Sequence, residues 1–468
     1  MGFKVFDADA AVHELYGEGG EAVVPIGRIW PDVIVSNSVN RPKLAEKVIS
    51  NPSILSELES IVHPLVSKRR RSFYEKAGVE RELLVVYDIP LLLENRDKHD
   101  VDYVLVATAS SEVQRARVLG RIGMSVEKFE AILKKQMPDE EKRKLADFLI
   151  NTDFPTKTCA KAQVARVVEN LVQTHRENFQ SWKSRPFSVL SISRETSVGV
   201  MKESAEAEFK LSDHFDLVAF DLDDTLVPTL EPVNRGLEAL NNFVRENMPK
   251  SASAISCRLR EEIKSIAASN PLIAHDLTEL RMQAMQLIAK DFGEEYFVQE
   301  AMERFLAARS DIIPSLYADV MPCLDWIRNQ GVKIALLTNG NADLDMCGSQ
   351  EFRDRFCVVV RAGDVGAKKP SIVPFISVVQ LAEVPPSRIL FVGDSFSCDI
   401  VGSKTVGMCA ALLVRNLSAP TIQGVLDSAT GNGLVDSDND VTEDIRLHSL
   451  DPKSFCEQLT LHFQSGTP

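Results

Sequence analysis

The stretch Phe220-Asp221-Leu222-Asp223-Asp224-Thr225-Leu226 decides how the rest of this 468-residue chain is read. Leu217-Val218-Ala219 precede it, so a short apolar strand runs directly into three carboxylates. Apolar residues draw a strand into a core, whereas neighbouring carboxylates repel one another and resist losing water. A fold keeps such a junction when a cation sits among the acids. Alternation along a strand sends Asp221 and Asp223 the same way and Leu222 to the opposite side. Alone, the stretch also reads as a solvated acidic turn or a helix N-cap; segments further along the chain decide against that.

Those segments come in order. Val332-Lys333-Ile334-Ala335-Leu336-Leu337-Thr338-Asn339-Gly340 is a strand ending in a hydroxyl and a glycine. Lys368-Lys369-Pro370 follows a Gly-bearing turn, and Ile389-Leu390-Phe391-Val392-Gly393-Asp394 is a further strand with Asp399 five residues on. Strand-end residues gather at one edge of a parallel sheet, where α/β proteins bind ligands. Between Val227 and Pro322 the spacing predicts four amphipathic helices, 231–248, 257–268, 277–292 and 294–309. A helical insertion over about 228–318 suits a cap that closes on the site and excludes water.

The pieces have a joint chemistry. Asp221 can attack phosphorus as a carboxylate nucleophile and form an aspartyl-phosphate. Asp223 can protonate the leaving alkoxide and later take a proton from water. Mg²⁺ would be held by Asp221, the backbone of Asp223, and Asp394. Thr338 and Lys369 would bind the transferring phosphoryl oxygens, and Asp399 would orient Lys369 or the metal's waters. Singly, Thr338 also reads as a strand-end cap and Lys369 as a surface lysine.

Length calls for two or three domains. A hydrophobic fraction of 44% and a charged fraction of 26% describe an ordinary soluble chain. A net charge of −14 argues against nucleic acid or an anionic membrane surface as the main partner, and a small phosphorylated substrate of the kind the strand-end acids suggest would need local cations, from a metal or a few placed Lys and Arg. The eight cysteines form no Cys-x-x-Cys pair, which points to thiols in a cytoplasm-like compartment. No apolar run approaches membrane-span length.

The front of the chain alternates strand and helix and predicts a second α/β domain. Val5 to Asp9 reads as a strand end, Arg41 to Ile49 and Ser53 to Ala77 as helices, and Leu83 to Tyr87 as a buried strand. Val101 to Ala107 reads as the next strand, followed by helices over Val113 to Arg121 and Val126 to Gln136. The basic run Lys68 to Arg71 reads as a solvated helix face. Periodicity fades over 176–213, which reads as a linker between domains at 1–175 and 214–468.

Phe6-Asp7-Ala8-Asp9, Val62-His63-Pro64-Leu65, Asp88-Ile89-Pro90-Leu91-Leu92, Arg117 with Arg121, Gln136 and Ala146-Asp147 together resemble dephospho-CoA kinase. The resemblance implies a P-loop-kinase-like domain that passes the ATP γ-phosphoryl group to dephospho-CoA. It also implies that Asp9 sits near the accepting hydroxyl, Arg117 and Arg121 serve a lid over ATP, and His63 and Pro90 belong to the same site. The chain contains no Gly-x-x-x-x-Gly-Lys-Ser/Thr loop, and Gly17-Glu18-Gly19-Gly20 lacks the lysine and hydroxyl such a loop needs. Kinase catalysis rests on phosphate positioning, so ATP is expected as a cofactor only if the domain is complete. Either the sequence begins too late or the domain is a relic or scaffold. The first is favoured, because the other motif residues are in place, and an organellar address would then lie in the missing part.

Residues 215 to about 465 resemble the haloacid dehalogenase superfamily, which implies a HAD-like Rossmannoid core with a helical cap. Asp223 favours a phosphatase, since halide expulsion needs no proton donor. His275-Asp276-Leu277-Thr278-Glu279-Leu280-Arg281, Thr338-Asn339-Gly340-Asn341-Ala342 and Val360-Arg361-Ala362-Gly363 resemble the capped phosphatases of flavin mononucleotide and the riboflavin precursor. That likeness makes Asn339, Gly340, His275, Asp276 and Arg281 candidate substrate contacts. Read without it, the cap stretch is equally a helix N-cap with flanking surface charges. The fold class expected is α/β with two parallel-sheet domains, an incomplete kinase-like one and a capped hydrolase.

Overall fold

The computed structural model describes residues 1–50, 52–80, 82–94, 101–134, 136–154, 156–184, 209–348, 350–415 and 445–464. They form two compact units, one of 3–104 with 118–147, the other of 1–2, 105–117 and 148–468. The segment 1–175 is therefore shared between the units. It does not form one body of its own.

In the front unit, strand β1 (Lys4–Asp7), the short antiparallel pair β2 (Ile34–Val35) and β3 (Ser38–Val39), and strand β4 (Val85–Asp88) supply the extended segments. Strand β1 runs parallel to β4 from Lys4↔Val85 to Asp7↔Asp88. Asp7 closes the strand and caps the helix Ala8–Tyr16, its Oδ1 accepting from the Ala10 amide at 2.8 Å. Gly17-Glu18-Gly19-Gly20 ends that helix in a turn, with Gly20 N donating to Gly17 O at 3.0 Å. Helices Arg41–Ser50 and Pro52–Glu80 fall where spacing predicts them. Leu15, Ile26, Trp30, Leu44, Leu58 and Val62 bury their faces together. The basic run is paired rather than merely solvated: Lys68 meets Glu21 at 3.1 Å, and Arg69 meets Glu14. The strand expected to be buried at Leu83 to Tyr87 is half-covered, with Val86 39% exposed. Among the described residues β4 has β1 as its one ladder neighbour, so no wide sheet shields it.

The rear unit opens with a parallel pair, β5 (Leu105–Thr108) and β6 (Phe148–Asn151). The helix Lys157–Thr174 follows and buries Cys159, Ala162, Ala165 and Val168. Its polar residues are tied to segments that follow the larger sheet's strands and to the cap. Lys161 Nζ donates to Gly363 O at 2.9 Å, Thr158 Oγ1 lies 3.2 Å from Asp276 Oδ2, and Glu169 is hydrogen-bonded to Ser371. The backbones nearly touch at Gly366 (φ 78°), where a Cβ would lie 2.3 Å from the Lys161 carbonyl carbon. The expected linker begins later than 176, because Arg176–Ser184 is helical and buries Phe179 and Trp182, stacked at 5.5 Å. Two aromatic residues three apart make one sticky face, too short a signal for periodicity to reveal. Residues 185–208 of that linker lie outside the described residues.

Six parallel strands form the main sheet: β7 (Leu217–Phe220), β8 (Lys333–Thr338), β9 (Val358–Arg361), β10 (Ile389–Gly393), β11 (Cys409–Leu413) and β12 (Ile445–Leu447). Their order is β12-β11-β10-β7-β8-β9. Strands β7 and β10 are buried along their whole length, which is why they read as unbroken apolar runs. On one face Val218, Phe220, Leu336 and Val392 pack with Leu324 and Phe455. On the other, Phe391 meets Phe375 of helix Ile372–Ala382 at 5.1 Å between ring centroids. Four helices, Leu230–Asn247, Ala252–Ser269, Leu277–Lys290 and Val298–Ser310, follow β7 as a cap with its own core of Leu240, Val244, Met285, Ile288, Met302 and Phe305. Among the described residues no helix is long and apolar enough to cross a membrane.

Asp319, just before helix Val320–Asn329, binds the far edge of this sheet to the acidic turn. Its carboxylate takes both contacts from Arg415 Nη1 at 3.1 Å, the Ser449 hydroxyl at 3.0 Å and the Leu450 amide at 2.9 Å. Arg415 Nε in turn donates to Thr225 O at 2.9 Å. Burial alone would push the Asp319 carboxyl up, but Arg415 and the two other donors outweigh it and hold it below the usual aspartate range. A depressed folded-state pKa gives stability that is complete above the unfolded value, near 4, and lost as pH falls through the folded one. Asp319→Asn should therefore cost about 3 kcal/mol at pH 7. In urea unfolding the gap to the parent should stay constant down to about pH 5 and close towards pH 3; a gap independent of pH would refute the assignment.

Candidate active site

Strand β7 delivers Asp221 to the C-terminal edge of the sheet, where its amide donates to Val392 O at 2.9 Å. The chain then folds back on itself: Leu226 N and Val227 N both donate to Leu222 O, at 2.8 and 3.1 Å. Leu222 is fully buried, on the side opposite the acids, as alternation predicts. Asp224 takes the left-handed conformation at φ 61° that this reversal requires, and its carboxylate accepts from Thr229 N at 2.9 Å. This fold-back leaves Asp221 and Asp223 free to face the sheet edge.

Lys369 stands at the centre of the site. Its ammonium is 2.6 Å from Asp221 Oδ1, 2.6 Å from Asp399 Oδ1 and 3.2 Å from Leu337 O. Asn339 holds the segment in place, its Oδ1 accepting from Lys369 N at 2.7 Å while Nδ2 donates to Lys369 O at 3.1 Å. Asp399 reaches the lysine because Gly393 has no side chain; a Cβ there would lie 2.3 Å from Asp399 Oδ2. Strand β10 ends beside β7, so Asp394 comes next to Asp221, and Thr225 Oγ1 lies 3.3 Å from Asp394 Oδ1. Asp221, Asp394 and Asp399 each offer an oxygen, and these lie within 4.8 Å of one another.

Three carboxylates thus share one ammonium. Burial pushes the Asp221 carboxyl well up, with Lys369 opposing and Asp399 and Asp394 adding repulsion. Asp394 is raised to about 6 by burial and then by Asp399 and Asp224. Lys369 stays charged: burial works against its ammonium, but Asp221 and Asp399 more than compensate. The residual negative charge in a buried cluster of hard oxygens is a donor set that fits a small divalent cation.

Across from this cluster lies a second group. Thr338, 1% exposed, accepts from Gly340 N at 2.8 Å. A Cβ on Gly340 would sit 2.3 Å from Asp223 Oδ2 and 3.1 Å from Thr338 Oγ1, so Asp223 and Thr338 flank the bare glycine backbone. Asp223 is itself held by Arg309 of the cap, Nη2 to Oδ1 at 2.6 Å. Sequence reasoning missed Arg309. Its signal was the spacing Met302, Phe305, Arg309, which sets a cation on the apolar stripe of its helix.

The other expected residues divide. Thr278 of the cap contacts Asn341 of the sheet edge at 3.1 Å, and Arg281 lies near Arg309. The Asp276 carboxylate is used as a helix cap, accepting from the Thr278 and Glu279 amides at 3.1 and 3.0 Å. A capping carboxylate has little left to offer a substrate. His275, 7% exposed, has its Nε2 without a partner among the described residues, and its charged neighbours are Asp276, Lys161 and Lys368 rather than the acidic cluster. In the front segment Asp9, His63, Pro90 and Arg121 are exposed and belong to the front unit. Arg117 belongs to the rear one, where its guanidinium donates to Thr152 Oγ1 at 3.1 Å.

Residues 1–157 match the family model described as dephospho-CoA kinase, and 215–407 match that of haloacid dehalogenase-like hydrolase. The dephospho-CoA kinase of Bradyrhizobium diazoefficiens is 42% identical over 172 residues, 37% of this chain and 85% of that protein. That of Novosphingobium aromaticivorans is 46% identical over 169 residues, 36% of this chain and 82% of that protein. Among solved structures, a 2-haloacid dehalogenase from Pseudomonas syringae is 27% identical, covering 52% of this chain and 99% of its own, with a TM-score of 0.43. A HAD phosphatase from Thermococcus onnurineus is 25% identical, covering 47% and 100%, with a TM-score of 0.33. All of the sheet-edge residues described above, from Asp221 to Asp399, fall inside the hydrolase match. Over its first third this chain belongs to the dephospho-CoA kinase family, and behind that it carries a haloacid dehalogenase-like hydrolase domain.

Proposed function

We propose that the rear domain is a Mg²⁺-dependent phosphatase of small phosphate monoesters, nucleotide- or flavin-like, working through an aspartyl-phosphate on Asp221. The observation that carries this reading is the buried Asp221–Lys369–Asp399 cluster with Asp394 beside it and a second acid, Asp223, across the Thr338–Gly340 turn. Lys369 occupies one oxygen of Asp221, which leaves the other to attack phosphorus. The P–O bond to the leaving group breaks as the Asp221–P bond forms, and Asp223 gives its proton to the departing alkoxide. Water then attacks phosphorus, its proton passing to the Asp223 carboxylate, and the Asp221 O–P bond breaks to free the Asp221 carboxylate and inorganic phosphate. Thr338 and Lys369 take the phosphoryl oxygens and offset their charge. Asp221, Asp394 and the Asp223 carbonyl would hold Mg²⁺, which when bound neutralises the acids and the transferring group. A proton-transferring group at Asp223 suits an alkoxide leaving group and has no task in expelling halide. Because none of the eight cysteines is in a disulfide, the setting proposed is a reducing, cytoplasm-like compartment.

For the front third we propose dephospho-CoA as ligand, on the strength of its relatives. Transfer from ATP would need a Gly-x-x-x-x-Gly-Lys-Ser/Thr loop, which residues 1–468 do not contain. A second reading, a bifunctional enzyme with active dephospho-CoA kinase, applies if such a loop precedes this sequence.

Hydrolysis of p-nitrophenyl phosphate should require Mg²⁺, stop on adding EDTA, and fall by roughly 10⁴-fold or more in Asp221→Asn. A variant that keeps its activity and its circular dichroism spectrum would remove the nucleophile assignment. Gly340→Ala places a methyl against Asp223 and should cost roughly 10²-fold in kcat/KM with little change in unfolding midpoint. In calorimetry the 468-residue chain should bind dephospho-CoA, and incubation with ATP should yield no CoA. Absence of binding would withdraw the ligand, and CoA formation would show that other residues hold the phosphates.

A further inference from the structure

The cap holds more positive charge beside the site than its own acids answer. Arg309 is 2% exposed; its Nη2 is paired with Asp223, but Nη1 is buried with no hydrogen-bond partner among the described residues. Arg281 lies flat against Phe305, its guanidinium carbon 4.0 Å from the ring centroid, and its Nε is likewise buried without a partner. The charge acting on Arg281 is that of Arg309, and together with burial it brings Arg281 down to about 10. Arg309 thus has one carboxylate partner, which the phosphatase reading needs for proton transfer, and Arg281 has no ion pair among the described residues. Removing a cation from water without a counter-ion is costly, and two like charges side by side add to that cost. An arrangement of this kind becomes favourable when an anion arrives.

The position of Arg309 says where that anion would lie. Its Nη2 is 3.4 Å from the point a Gly340 Cβ would occupy, next to Thr338, so Arg309 borders the phosphoryl site from the cap side, and the Phe305 ring that Arg281 covers lies next to Arg309, both flanking Gly236. The phosphoryl oxygens already have Lys369 and Thr338. We infer that Arg281 and Arg309 form a second oxyanion subsite, which selects phosphate monoesters whose leaving group carries its own carboxylate or second phosphate. Arginine forks match both groups through paired N–H donors. This inference deepens the phosphatase reading and rests on it.

The test compares phenyl phosphate, 4-carboxyphenyl phosphate and 1,4-phenylene bisphosphate on the full chain with Mg²⁺. The charged esters should be preferred by about tenfold or more in kcat/KM, the worth of a hydrogen bond to a charged group. Arg281→Met should bring that ratio towards one, and Arg281→Lys should retain part of it. Preference for one charged ester alone identifies which oxyanion the subsite takes. Equal turnover of all three esters by the parent protein, or an equal fall for all three in Arg281→Met, overturns the inference and leaves the phosphatase standing. Calorimetry with benzoate reads the subsite without turnover. Binding that disappears in the folded Arg281→Met variant supports it even if no ester is hydrolysed, whereas no binding and no preference would end it.

Discussion

A single buried ammonium sets the terms for the hydrolase domain. Lys369 is nearly inaccessible to solvent and lies between Asp221 and Asp399 at equal distance. Breaking such a contact strands a charge in the interior, so each partner is obliged to stay where the others need it. Much of the surrounding backbone serves that requirement. Asn339 grips the lysine's peptide group from both sides, Gly393 gives Asp399 room to approach, and the fold-back after Leu222 aims Asp221 outward. None of these features is an ordinary packing solution, and each loses its purpose without the lysine.

The sheet converts that local requirement into a polarised site. Strands β7 and β10 are neighbours in parallel register, Phe220 opposite Val392, so Asp221 falls opposite Gly393 and Asp394 one residue further, close enough to bring their carboxylate oxygens within 4.8 Å. Strand β8 flanks β7 on its other side and ends in Thr338. The acidic excess thus collects on the β10 side, while Arg309 brings a cation over the β8 side from the cap. A field of that shape, with excess negative charge at one end and excess positive charge at the other, is suited to a small ligand whose own charge is distributed unevenly.

Much of this was legible in the residues alone. Asp221, Thr338, Lys369 and Asp394 each sit at a strand end or a Gly- or Pro-marked turn, where polarity changes abruptly along the chain, and such changes are visible without a fold. The four cap helices were legible for a similar reason, since their apolar faces recur with helical spacing. Arg309 was not, because its meaning depends on a partner 86 residues away that only the closing of the cap brings within 2.6 Å. Asp276 takes the helix-cap role, one of the two its sequence left open, because the nearest donors are the amides of its own helix. Half-covered β4 and the helical start of the linker were misjudged because burial and docking depend on neighbours that local patterns do not name.

The helix Lys157–Thr174 bears on how this fusion is put together. The family model stops at its first residue, but the dephospho-CoA kinase relatives match over as many as 172 residues, so by ancestry most of this helix belongs to the kinase half; yet it packs against Gly363 and against Ser371, which lies two residues from the buried lysine. Inheritance and folding therefore draw their borders at different places. A gene cut at the ancestral seam would leave the hydrolase without one of its walls, so the two halves, once joined, have given up the freedom to be separated by a simple deletion.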